Sequence, residues 1–217
     1  MPLIEERNHT AYAVTLTGMG ERVHLATRQV GVETAVQDVL SFIEFNDIRE
    51  CVLVGHSFAG KVVASVADRT EARVRSIVYV DAFRPAKVRT PQGGFDPSEF
   101  GPLKPGEWAI PFSEKILDAI GKDVRGAERK WMLSRVTPWP VRHSSDPVTL
   151  SPRFDGIKSA FIFCTESGDP VEEIVAGKWG KLEGPYKVID SGHWPMITRP
   201  AELVDDILEL AAKVEAG

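Results

Sequence analysis

A serine flanked by small residues, set between an apolar run and a helical pattern, is the segment of this sequence best suited to chemistry. Val52-Leu53-Val54 leads into Gly55-His56-Ser57-Phe58-Ala59-Gly60, and Lys61 to Ala67 continues with helical character. A buried strand, a sharp turn on a serine and a helix form the context of a nucleophile elbow, in which the turn lifts the hydroxyl above a sheet. The usual pattern is G-x-S-x-G. Here Ala59 holds the last position, where the requirement is small size, and Gly60 allows the helix to approach the strand closely. The helix start also turns backbone N–H groups, that of Phe58 above all, toward the point where an oxyanion would form. Such a serine needs a base. His193 lies in Ile189-Asp190-Ser191-Gly192-His193-Trp194-Pro195, between the last strand-like run and the last helical pattern. The other histidines fit less well: His9 and His24 precede the serine, His56 sits inside the elbow, and His143 falls in a proline-rich stretch.

Positioning these groups requires strands and helices in alternation, and the sequence supplies them. Tyr12–Leu16, Cys51–Val54, Val74–Val80, Ala160–Cys164 and Tyr186–Ile189 read as strands. Val32–Phe45 carries apolar residues at Val32, Ala35, Val36, Val39, Leu40 and Ile43, the spacing of one buried helical face. Pro200 opens a final helix bearing Leu203, Val204, Ile207, Leu208 and Ala211. The pattern predicts an α/β fold with a mainly parallel sheet covered on both sides. From Arg84 to Arg153 the rhythm breaks. This stretch holds ten of the fifteen prolines, together with Trp108, Trp131 and Trp139, and helical patches only at Ser113–Ile120 and Ala127–Val136. It is too long for a plain loop. The reading is a cap or lid over residues 85–153, inserted in a core made of residues 1–84 and 154–217, with aromatic residues over the carboxyl ends of the strands.

Composition narrows the function classes. The 217 residues are 43% apolar and 26% charged, with a net charge of −5 and no block of like charges, so a nucleic-acid partner is not expected. Two cysteines, Cys51 and Cys164, exclude a disulfide scaffold; inside apolar runs they read as buried thiols. No apolar run approaches the ~20 residues of a membrane span, and no signal peptide is visible, so a cytoplasmic protein is expected. Gly18-Met19-Gly20 lacks the third glycine of a dinucleotide fingerprint, Val23 standing there, and no histidine pair has zinc-site spacing.

These features together resemble the α/β-hydrolase superfamily, and within it the small bacterial esterases grouped near plant methylesterases and hydroxynitrile lyases. The resemblance runs nearly end to end. It is carried by Tyr12–Arg22 (YAVTLTGMGER), the GHSFAG elbow, Ile77–Pro85 (IVYVDAFRP), Ser134–Pro140 (SRVTPWP), Phe161–Thr165 (FIFCT) and Ser191–Pro200 (SGHWPMITRP). It implies a Ser–acid–His triad, a small-molecule ester substrate and no cofactor. The acid stays open between three residues. Relatives tend to carry Asp at the position held by Ser167, with Glu166 and Asp169 nearby, whereas some superfamily members take the acid from the strand end where Asp81 stands. Asp81 ranks first, Asp169 second and Glu166 third, because a strand end orients a carboxylate better than a loop does.

The family also begins with a strand ending in His-Gly, whose loop gives a second oxyanion donor. Here the chain starts at the helix-like Pro2–Arg7, so that first strand reads as absent through a truncated reading frame or a rearranged sheet. One oxyanion donor instead of two would cost about 10²–10³ in kcat. Because buried unpaired backbone groups cost about 1–3 kcal/mol each, Tyr12–Leu16 is expected to pair directly with Cys51–Val54, or another chain to supply the pairing. The functional expectation is hydrolysis of a small carboxylic ester through an acyl-enzyme on Ser57. His193 would act as base, Asp81 (or Asp169) as its orienting acid, the Phe58 N–H as oxyanion donor, and Trp108, Trp131 and Trp194 as substrate contacts. The alternatives are a hydroxynitrile-lyase-like lyase, which Trp194 in place of the lysine of resembling lyases disfavours, and an impaired pseudo-hydrolase that binds a small ligand or partner protein. No membrane partner is expected, and a homodimer is left open.

Overall fold

Runs of branched apolar residues with no polar face can be strands only if both sides of their sheet are covered. The computed structural model, which describes residues 1–70, 73–82, 106–178 and 182–216, is built this way. In chain order the first elements are α1 (Pro2–Glu5), a 3₁₀ turn at Gly20–Leu25, α2 (Val32–Phe45), β1 (Cys51–His56), α3 (Ala59–Arg69) and β2 (Val74–Val80). Then follow β3 (Ala109–Ile110), α4 (Glu114–Ile120), α5 (Gly126–Leu133), β4 (Trp139–Pro140), α6 (Arg142–Ser145) and a 3₁₀ turn at Pro152–Gly156. The chain closes with β5 (Ser159–Cys164), α7 (Val171–Val175), β6 (Tyr186–Ile189), α8 (Pro195–Thr198) and α9 (Pro200–Ala216).

Four strands form a sheet in the order β1-β2-β5-β6, and every neighbouring pair is parallel. Side chains of β2 alternate between two cores. Ile77 and Tyr79 pack with Val63, Ala64 and Ala67 of α3, while Val78 and Val80 pack with Leu203, Ile207, Leu210 and Val214 of α9. Helix α2 buries Val32, Ala35, Val36 and Ile43 against Val62 and Val66 of α3, as its apolar spacing predicts. At its C-terminus the sequence reading places α9 from Pro200 onward, and there it lies. Among the described residues no helix is long and apolar enough to cross a membrane. Cys51 and Cys164 are free thiols, and burial pushes that of Cys164 far above its ordinary range.

One expectation fails. Tyr12–Leu16 is not a strand, and among the described residues nothing pairs with the outer edge of β1. The segment runs beside α2 instead. Tyr12 meets Phe42 edge-on at 5.6 Å, Arg22 Nη1 donates to the Thr15 carbonyl at 2.9 Å, and the Thr17 N–H donates to Asp38 at 2.6 Å. The pairing argument assumed a buried gap. Val54 on the free edge is 44% exposed, so water reaches that part of the edge, whereas Gly55 beside it is buried.

Between β2 and β5, the helices at 114–120 and 126–133 fall where the sequence shows helical patches. The antiparallel β3–β4 pair was not legible, since two residues per strand carry no period. Leu117, Val124 and Met132 form a small core of this segment and pack against Trp194 and Ile197, which follow β6. Residues 85–105 of the expected cap, and its boundary at 84/85, lie outside the described residues.

Candidate active site

A parallel sheet delivers all its carboxyl ends to one edge, where open α/β sheets bind ligands. Ser57 follows β1, Asp81 follows β2, Ser167 and Asp169 follow β5, and His193 follows β6. Two of the non-glycine residues with positive φ are Ser57 (54°) and Asp81 (42°). Holding a side-chain-bearing residue there costs about 1–3 kcal/mol, a strain that recurs at functional sites. At Ser57 the turn is pinned by its N–H donating to the Val80 carbonyl at 3.3 Å and by the Gly60 N–H donating to the Ser57 carbonyl at 3.1 Å. A Cβ on Gly55 would lie 2.6 Å from Val63 Cγ2, so glycine there permits the close approach of α3 to β1. Phe58 caps α3, and its N–H finds no acceptor among the described residues.

The Asp81 side chain is 2% exposed and that of His193 15%. His193 Nδ1 lies 2.5 Å from Asp81 Oδ2. The other Asp81 oxygen accepts from the Ser167 hydroxyl at 3.0 Å and from the Cys164 N–H at 3.3 Å. With Nδ1–H donated to the carboxylate, Nε2 is the basic nitrogen of the ring. The backbone of His193 is fixed at both ends: its N–H donates to the Ile120 carbonyl at 2.8 Å, and its carbonyl accepts from His56 Nε2 at 2.6 Å. Burial pulls the His56 pKa down to about 3, so this imidazole is a neutral donor. The His56 and His193 rings lie 4.5 Å apart, and Ser57 is the next residue in the chain after His56. The Ser57 hydroxyl makes no hydrogen bond among the described residues; nucleophile–base contacts commonly tighten only when substrate binds.

The remaining sequence candidates separate. Asp169 makes no side-chain hydrogen bond among the described residues; it keeps contact with water but is desolvated enough that burial, and then the Asp81 charge, raise its pKa. Glu166 is exposed, and among the described residues its N–H donates to the Ser191 carbonyl while its carboxylate makes no hydrogen bond. Neither carboxylate reaches the His193 ring. Trp194 packs edge-on to His193 at 5.1 Å and to Phe112 at 5.7 Å, inside the small core of the intervening segment. Trp131 is 57% exposed, and Trp108 is half-buried beside β3. Sequence reasoning missed two contributors. Ser167 was noted only as standing where an acid is usual, and Asp123 carried no motif at all; it accepts hydrogen bonds from Ser191, Gly192 and Thr198 around His193. Among the described residues no cluster of three metal-ligating side chains occurs.

His143 lies behind Phe58, stacked on its ring at 5.5 Å, with both ring nitrogens buried and unpartnered among the described residues. Burial lowers its pKa to about 4, outweighing the opposing pull of Asp38 and Asp146. The folded pKa lies below the unfolded value near 6.5, so the unfolded chain takes the proton first as pH falls. This contribution is therefore intact above pH 6.5 and is lost on the way down to pH 4. The expected loss from this residue between pH 7 and pH 5 is about 2 kcal/mol. His143→Phe keeps the stack and removes the proton. Urea midpoints at the two pH values should therefore converge more closely in the variant than in the parent, and equal pH slopes would refute the assignment.

Comparison with known proteins bears on this arrangement. A model of the alpha/beta hydrolase family matches residues 1–206. The chain is similar to a carbendazim hydrolyzing esterase from Nocardioides sp. (strain SG-4G), with 27% identity across 95% of this chain and 90% of that protein. It is also similar to Methylesterase 9 of Arabidopsis thaliana, at 24% identity over 98% and 91% of the two chains. Among solved structures, the methylesterase MES16 from Arabidopsis superposes with a TM-score of 0.77 at 16% identity, covering 97% of this chain and 90% of that one. At that identity the superposition speaks for the fold alone.

Proposed function

The chain belongs to the alpha/beta hydrolase family, and from that premise we propose that it hydrolyses small carboxylic esters through an acyl-enzyme on Ser57. The observation that carries the reading is the 2.5 Å contact of His193 Nδ1 with Asp81, at the same sheet edge as a serine held at φ 54°. Ser57 Oγ attacks the ester carbonyl while His193 Nε2 takes its proton. Asp81 keeps the imidazole in that tautomer and stabilises the imidazolium. The Phe58 N–H, at the start of α3 and without an acceptor among the described residues, stabilises the developing oxyanion in this reading. Collapse of the tetrahedral adduct expels the alcohol, which receives the proton from His193. Water, deprotonated by the same nitrogen, then releases the acid. In this reading the described part of the segment between β2 and β5, residues 106–153, acts as the cap, and its Leu117, Val124 and Met132 pack against Trp194 beside the base.

The names of the two relatives support an ester as substrate, since both are esterases. A lyase of the hydroxynitrile type would need a cation after the base, as the resembling lyases have. Trp194 stands there and packs into an apolar cluster. The test pairs turnover with covalent labelling. The chain should hydrolyse p-nitrophenyl acetate and butyrate, and a fluorophosphonate should add one adduct, mapped by mass spectrometry to Ser57. A folded chain that neither turns over the esters nor takes the label would be a binding protein rather than an esterase, and the proposal would fall.

A further inference from the structure

The loop carrying His193 is held from a direction that the triad does not explain. Asp123 stands between α4 and α5, in the segment that joins β2 to β5. Its Oδ2 accepts three hydrogen bonds: from the Gly192 N–H at 2.9 Å, the Ser191 hydroxyl at 3.0 Å and the Thr198 hydroxyl at 2.7 Å. Three residues away, the Ile120 carbonyl accepts the His193 N–H at 2.8 Å. Two successive peptide N–H groups, those of Gly192 and His193, are thus tied to one short stretch of the intervening segment. The fit is close on both sides. A Cβ on Gly192 would sit 2.3 Å from Asp123 Oδ1, and one on Gly121 would sit 2.5 Å from the Trp194 ring.

From this geometry we infer that Asp123 is a positioning residue for the base, fixing where the His193 imidazole stands relative to Ser57. The inference rests on the reading of His193 as the base. Burial alone would raise the Asp123 pKa, but the bonds from Gly192, Thr198 and Ser191 outweigh it, so the carboxylate stays charged and keeps its grip. The cost of the arrangement points the same way. Asp123 Oδ1 is buried and without a partner among the described residues, a poor choice for stability alone. What the other oxygen gains is control of geometry: it holds the Ser191–Gly192 peptide, next to the Gly192–His193 peptide whose N–H the Ile120 carbonyl holds. The ring is then set by Asp81 at Nδ1, by His56 at its carbonyl, and by Ile120 and Asp123 along its N-terminal side. A misplacement of about 1 Å at a reacting group can cost about 10² in rate.

The test compares Asp123→Ala and Asp123→Asn with the parent chain in p-nitrophenyl butyrate turnover, fluorophosphonate labelling of Ser57, thermal unfolding, and the downfield proton NMR signal of His193 Nδ1–H. Asp123→Ala should lower kcat by about 10² with KM changed less than about threefold, slow labelling in parallel, and broaden or shift the Nδ1 signal. Asp123→Asn retains one acceptor oxygen and should recover a substantial part of the loss. If Asp123→Ala does not fold, Asp123→Asn decides: a lowered kcat and altered Nδ1 signal at an unchanged unfolding midpoint support the role, and parental values overturn it. A parent chain that is active beside an equally active, folded Asp123→Ala overturns the inference and leaves the esterase reading standing. A parent chain inert to both ester and label overturns the esterase reading, and this inference with it.

Discussion

Replacing Ser57 with alanine should reduce ester hydrolysis by about 10⁵–10⁶ in kcat while leaving the chain folded. The size follows from the role: without the hydroxyl no acyl-enzyme forms, and His193 has no proton to take. The small structural cost follows from the surroundings. The Ser57 hydroxyl makes no hydrogen bond among the described residues, so its removal strands no partner, and a change in stability within about 0.5 kcal/mol is expected. Ser57→Gly sharpens the test. Its φ of 54° is a strained value for any residue with a Cβ, so glycine should be at least as stable as serine while equally inactive. Initial rates on p-nitrophenyl butyrate, read beside urea midpoints, check both parts. A folded Ser57→Ala chain with the parent's rate would eliminate the elbow as the site of chemistry.

Features written in local sequence were legible in the residues themselves. The helical face of Val32–Phe45, the apolar run at Val74–Val80 and the Pro200 start of the last helix each depend on residues within a few turns of one another, and each lies where its pattern puts it. Strand identity at Tyr12–Leu16 was different. A β-rich run becomes a strand only when a neighbour offers a ladder, and here α2 and Arg22 claim the segment instead. The same distinction runs through the site. Ser57 and His193 sit in motifs that announce themselves, and the strand end ranks Asp81, whose carboxylate meets His193 Nδ1, ahead of Asp169. The supports of that contact were invisible. Ser167 reaches Asp81 across 86 residues, and Asp123 reaches Gly192 across 69, with no periodicity linking either pair. His143 could be seen as a histidine, but not as one buried behind Phe58.

Asp81→Asn should lower kcat by about 10³–10⁴, and the bonds around Asp81 explain why the near-isosteric change is so damaging. Asp81 Oδ1 accepts from the Ser167 hydroxyl and the Cys164 N–H. In the variant these two donors hold the amide oxygen on their side, which turns the NH₂ toward His193 Nδ1. Nδ1 must then accept rather than donate, the ring proton moves to Nε2, and the nitrogen facing the nucleophile is no longer a base. Asp169→Asn should cost less than about tenfold, because Asp169 bonds no part of the imidazole and acts on it only through its charge. Ser167→Ala falls between them: it removes one of the two donors that orient the carboxylate but leaves the charge and the Cys164 N–H in place. Steady-state rates of the three variants on one ester, with circular dichroism to verify folding, give the order. If Asp169→Asn proves the most damaging, the orienting acid is Asp169 and the 2.5 Å contact at Asp81 is only structural. If Ser167→Ala alone matches Asp81→Asn, the oxygen that matters is the one the hydroxyl holds, and the tautomer argument fails.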